Sequence, residues 1–144
     1  MKKIIAFVSL LFILFNSAYA AGTDSSNEVV KPSSYTSILK MIKEEKYEDS
    51  IKALEEILKK SKYQKDPDIL THYAFALRKT KNFSKAEEYY LKALSIDSKH
   101  RGALEYIGEL YVDTNRLELA NQTLKKLENC RCSEYAELKN YINK

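Results

Sequence analysis

The sequence predicts an all-α fold of antiparallel helix pairs stacked as repeats. Three observations carry that reading. Leu70, Tyr73, Ala74, Leu77, Ala86, Tyr90 and Ala93 recur 34 residues later as Leu104, Ile107, Gly108, Tyr111, Ala120, Leu124 and Leu127. Each is apolar or small in both units, as expected of a supersecondary unit that buries one face against its neighbours. Within each unit the apolar positions follow helical spacing (i, i+3, i+4, i+7) and do not alternate. Finally, 144 residues contain only 3 Gly and 2 Pro, so little in the chain breaks helices.

The N-terminus reads as a targeting segment. Met1-Lys2-Lys3 is a positive head, and Ile4 to Phe15 is an apolar run interrupted only by Ser9. Ala18-Tyr19-Ala20 then places small residues where a signal peptidase reads them. This order predicts a secretory signal peptide over 1–20, cleaved after Ala20. The 12-residue run is well short of the ~20 residues that span a bilayer, so no membrane span is expected after cleavage. No Cys follows the apolar core, which argues against a lipid anchor. The mature chain is therefore expected to be exported, periplasmic or secreted. Gly22 to Asn27 are small and polar, and Pro32 interrupts any helix, so 21–33 reads as a flexible linker.

Helical signals start at Ser33 or Ser34, either of which suits a cap. Ile38, Leu39, Met41 and Ile42 give the first helix its apolar side, and Glu44-Glu45-Lys46-Tyr47 turns the chain. Ile51, Leu54, Ile57 and Leu58 form the stripe of a second helix. This unit lies 36 residues before the next, so about two residues are added near Tyr63 to Asp66. Ser34, Ser37 and Ser50 stand where the other units are apolar, as suits a terminal unit with one neighbour.

The second unit opens with Asp66 as a cap and Pro67 at the first helical position, where its missing N–H costs nothing. Thr80 to Phe83 is its turn, and Ser84 to Ile96 its second helix. Ala74 and Ala86 let the two helices approach closely. Gly108 is read as doing the same within the third unit, which turns at Thr114 to Leu117. Ser133 is read as the cap of a last helix carrying Tyr135, Ala136, Leu138 and Ile142, which closes the stack. The units span about 34–64, 67–100 and 101–132, with a capping helix over 133–142 and one repeat domain over 34–142.

The period and its order of large, small and aromatic positions resemble the tetratricopeptide repeat. Leu70 and Leu104 stand where that family often has Trp, and Ser98 and Cys132 where it often has Pro. The stretch from His100 to Tyr111, with Cys132-Ser133-Glu134-Tyr135 and Leu138-Lys139, resembles a group of small exported bacterial repeat proteins of undefined role. That group has two cysteines flanking the junction. Cys132 matches one in position, and Cys130 stands out of register with the other.

The resemblance implies a short right-handed solenoid whose concave groove binds a peptide or protein, here a partner in the cell envelope. It places Leu39, Ile42 and Lys43, then Thr71, Phe75, Arg78 and Lys79, then Glu105, Glu109, Val112 and Asp113 along that groove. The first two units would offer apolar and basic surface and the third an acidic one, suited to a ligand with both charges. The basic and Asn pattern that clamps a C-terminal carboxylate in some members is absent, and Glu105 with Glu109 would repel an acidic tail.

Chemistry has little support. No Gly-rich phosphate loop, zinc-binding helix pair or nucleophile elbow occurs, so neither a cofactor nor a catalytic residue is assigned. His72 and His100 read as surface or capping residues. Glu44-Glu45, Glu55-Glu56 and Glu87-Glu88 are adjacent, so on a helix they do not face one another as an acid–base pair. The net charge is +4, of which Lys2 and Lys3 carry two, a balance that does not call for nucleic acid or a membrane surface. Cys130-Arg131-Cys132 leaves three states open: a disulfide that staples the last junction, a free pair, or a reactive thiol favoured by Arg131. No His lies nearby to complete a metal site. A thiol-linked redox role and self-association through the ends of the stack are the alternatives to an adaptor.

Overall fold

The computed structural model describes residues 30–144; the expected signal peptide, and 21–29 of the expected linker, lie outside them. All regular structure among the described residues is helical. It comprises α1 (Ser34–Lys43), α2 (Tyr47–Leu58), a 3-10 turn (Ser61–Tyr63), α3 (Pro67–Lys79), α4 (Phe83–Ile96), α5 (Arg101–Asp113), α6 (Leu117–Leu127) and α7 (Ser133–Ile142). The helices pair as α1/α2, α3/α4 and α5/α6, and each second helix also packs on the first helix that follows it. α3 touches α5, and α5 touches α7, so the first helices form an inner row and α7 takes the place of a fourth.

The repeat is visible in the turns. Glu45, Lys81 and Asn115 each adopt a left-handed backbone, with φ of 59°, 64° and 59°. The next residue returns its N–H to a carbonyl in the last turn: Lys46 to Met41 at 2.9 Å, Asn82 to Leu77 at 2.8 Å, Arg116 to Tyr111 at 2.7 Å. This closing bond recovers carbonyls that the helix end leaves open, and it reverses the chain within about three residues. None of the three is glycine, so each turn carries the cost of an L side chain in that region.

Helix starts agree with the sequence at two places and differ at two. Asp66 caps α3, its carboxylate accepting from the Ile69 N–H at 3.1 Å, with Pro67 at the first helical position. His100 caps α5, its Nδ1 accepting from the Ala103 N–H at 3.0 Å. Ser33 occupies the cap position of α1 but makes no side-chain bond; the Tyr35 N–H instead donates to the Pro32 carbonyl. Ser133 is not a cap. Cys132 holds that position, and the Ser133 hydroxyl turns to Glu134.

Leu70, Ala74, Ala86, Tyr90, Ala93 and Ala120 are wholly buried, and Leu127 nearly so. Ser50 takes the place of Ala86 in the first unit and is fully buried. Its hydroxyl donates to the Tyr47 carbonyl at 2.8 Å, so a small polar residue fits the close approach without an orphaned group. The two added residues near Tyr63 are absorbed by the 3-10 turn, which tucks Tyr63 into the core. Gly108 serves a different neighbour from the one expected. A Cβ there would lie 2.5 and 2.7 Å from the methyl carbons of Leu138, so the glycine makes room for α7.

Candidate functional site: the inner row

The repeat geometry puts one face of α1, α3 and α5 on the inner row, with α7 closing one end. Leu39 is 37% exposed, Lys79 is exposed, and Ile42, Phe75, Glu109 and Val112 are half-buried. Arg78 and Glu105 differ from expectation. They are 5% and 4% exposed and lie in the junction of α3, α5 and α7. α7 covers the third unit where an open groove would continue, and Arg78 reaches from α3 into the same junction to pair with Glu109 and Asp113 beside Tyr141.

Arg78 is the centre of that junction. Its guanidinium pairs with Glu109 through one nitrogen and donates to Asp113 at 2.9 Å through another. The rings of Phe75 and Tyr141 lie 5.7 and 5.8 Å from it, and the Tyr141 hydroxyl donates to Asp113 at 2.7 Å. Arg78 Nε and the Tyr90 hydroxyl are buried without a hydrogen-bond partner. Burial pushes the Glu109 carboxyl up, against the pull of Arg78. A buried charge of this kind is held by its partners and is not free for a ligand.

The exposed part of the row is aromatic and basic. Phe75 meets Tyr106 with ring centres 4.8 Å apart, and Tyr47 meets Phe75 at 6.2 Å. Lys79 Nζ lies 5.7 Å from the Tyr47 ring and 5.8 Å from that of Phe75. Sequence reading assigned Tyr47 to a turn and did not single out Tyr141. For Tyr141 the available signal was its place one helical turn after Glu137.

A polar network closes the opposite edge. Asp68 bonds Lys31 at 2.7 Å and accepts from His100 Nε2 at 2.9 Å. Lys31 thereby ties the last residues of the expected linker to the start of α3. The His100 hydrogen bond and the Lys31 ammonium hold the Asp68 carboxyl well below the usual range, against its partial burial. His72 Nδ1 lies 2.6 Å from the Tyr35 hydroxyl and 2.9 Å from the Asp68 carbonyl, and burial pushes its pKa down. Beside this network is a cleft of about 400 Å³, lined by Asp68, Thr71, His72, His100, Tyr106 and Glu134 among others.

Cys130 and Cys132 are joined as a disulfide, with Cα atoms 5.2 Å apart. The bridge packs against Leu104, Leu127 and Leu138, which makes it a staple of the junction between α6 and α7. Among the described residues no three His, Cys, Asp or Glu side chains gather as a metal site, and no helix is long and apolar enough to cross a membrane.

The model of the tetratricopeptide repeat family matches residues 67–100, which are α3 and α4 with their flanking turns. No curated protein matches the chain. The matched unit is repeated on either side by α1/α2 and α5/α6 with the same turn geometry. Residues 67–100 are thus matched as a tetratricopeptide repeat within an all-helical, tetratricopeptide-like repeat fold, a unit that suggests a protein-interaction module.

Proposed function

We propose that the protein is exported and acts as an adaptor or scaffold, holding a segment of another envelope protein against the exposed part of its inner row. The observation that carries this reading is the Tyr47–Phe75–Tyr106 run with Lys79 beside Tyr47 and Phe75; Phe75 and Lys79 belong to the family-matched unit, and Tyr47 at the start of α2 and Tyr106 on α5 flank it. Half-buried aromatics beside a cation give contact area at low entropic cost, which is how a binding surface differs from a solvated helix face. The charged head, apolar core and Ala18-Tyr19-Ala20 support export. The role proposed is binding without turnover, in keeping with the helical repeat matched at residues 67–100.

The test is affinity capture from native envelope extract with residues 21–144 as bait, beside a bait carrying Phe75→Ala and Lys79→Glu. Both changes fall on side chains that are half-buried or exposed, so the fold should survive. A protein held by the first bait and lost from the second supports the reading. Equal capture by both removes the inner row as the binding surface.

A further inference from the structure

A cleft of about 770 Å³ opens between the loop into α5, the start of α5 and the end of α6. None of the inner-row residues lines it. Its charged walls are Lys99, Arg101 and Lys126, and no carboxylate lines it. Leu104, Leu127 and Cys130 form its apolar side. The remaining lining side chains, Ser98 and Asn129, are neutral and make no side-chain hydrogen bond among the described residues.

The cations are not engaged by the chain itself. Neither Lys99 nor Lys126 pairs with a carboxylate among the described residues. The Arg101 side chain is 58% exposed and comes no nearer than 3.8 Å to Glu134. Lys126, in the last turn of α6, suits the negative end of its helix. Lys99 and Arg101 do not: α5 has no acidic residue in its first turn, and cations there oppose the helix dipole. On their other side these two residues border the cleft of about 400 Å³, whose acids are already occupied. Asp68 is held by Lys31 and His100, Asp97 accepts from the Lys99 N–H at 2.9 Å, and Glu134 faces Arg101. The larger cleft is thus lined by positive charge with no acid of its own.

We propose that this cleft is a second docking site, taking an acidic segment of a partner protein, with carboxylates towards Lys99, Arg101 and Lys126 and an adjoining apolar side chain towards Leu104 and Leu127. Charge complementarity selects the sign of the ligand. The apolar side selects its class. Leu104 and Leu127 are 2% and 1% exposed, so little apolar area is open, too little for an acyl chain whose binding scales with the area it buries. The exposed apolar residues Ile96, Leu117 and Leu119 do not line the cleft, so no large side chain stands there to enter a bilayer. The site is separate from the inner row and does not rest on it; a scaffold with both surfaces could hold two segments at once.

The test is fluorescence anisotropy of labelled hexapeptides with the mature chain at about 0.15 M salt, where long-range attraction is screened. One peptide alternates Glu with Leu, one Glu with Ser, and one Lys with Leu. The site variant carries Lys99→Gln and Lys126→Gln. A charge-matched control carries Lys52→Gln and Lys65→Gln, both exposed and outside the cleft, and an inner-row variant carries Phe75→Ala. Expected is binding of the Glu–Leu peptide, weaker binding of Glu–Ser and none of Lys–Leu. The site variant should lose about fivefold or more for Glu–Leu, with little change in the other two variants. An unchanged urea midpoint for the site variant assigns that loss to the cleft and not to the fold. No binding of Glu–Leu, equal binding of Lys–Leu, or equal loss in site and control variants overturns the proposal. Loss with Phe75→Ala alone moves the acidic segment to the inner row and removes the second site. Binding to phosphatidylglycerol vesicles that the site variant loses, without peptide binding, makes the cleft a lipid site and also overturns it. Because the site variant leaves Phe75 and Lys79 intact, its failure leaves the inner-row reading standing.

Discussion

Replacing Glu105 with Gln should stabilise the protein at neutral and alkaline pH and change little near pH 5. An ordinary Glu carboxyl loses its proton near 4.5, whereas burial and the neighbouring Glu137 hold that of Glu105 up to about 8. Between these values the folded chain keeps a proton that the unfolded chain has released, so stability is full at low pH and falls as pH rises towards 8. Each pH unit is worth ~1.36 kcal/mol, so between about pH 5.5 and about pH 7.5 the loss approaches 2–3 kcal/mol. Glutamine has no such proton to lose, and its amide can still donate to Glu137. Urea unfolding of the native chain and Glu105→Gln at both pH values measures the effect. Because both chains share His72 and His100, the difference between them isolates residue 105. A stability gap that grows by about 2 kcal/mol or more from low to high pH is the expected result. A gap independent of pH, or a variant less stable at both, would refute the reasoning.

Other perturbations follow from the same geometry. Arg78→Ala strands Glu109 and Asp113 in the junction and should cost about 3–5 kcal/mol in chemical denaturation, with Arg78→Met costing less if Glu109 is also made Gln. Lys81 is exposed with φ of 64°, so Lys81→Gly should raise stability by about 0.5–1 kcal/mol; a loss would show that its side chain contributes more than the strained turn costs. Ala86 is wholly buried in the α3/α4 contact, so Ala86→Leu should overpack it and cost about 1–3 kcal/mol, read from the midpoint of a urea transition.

The helix pairs were legible because each buried stripe leaves a periodic trace, as Leu70, Ala74, Ala86 and Ala93 show. Asp66 and Pro67 were legible for a local reason, since a cap acts within three residues. What escaped depends on contacts between distant helices. Gly108 announced a close approach, but its neighbour, Leu138, is set by how α7 folds back on α5. The same docking explains why Arg78 and Glu105, placed on an open groove by their repeat positions, are buried in a junction instead. Ser133 failed as a cap because the residue before it, Cys132, is held by the disulfide to Cys130 at the turn into α7. Leu39 and Lys79 kept the exposure their repeat register implied, whereas Thr71 and Arg78, on the same helix as Lys79, did not.

The most direct test of the inner row as the binding surface is site-specific photo-crosslinking in envelope extract. A benzophenone side chain would replace Leu39 or Lys79 on the inner row, and Leu91 or Leu117 on the outer helices; all four are exposed. Adducts of one partner from Leu39 and Lys79, and none from Leu91 and Leu117, are the expected result. Adducts from the outer positions alone would contradict it and move the binding surface to α4 and α6.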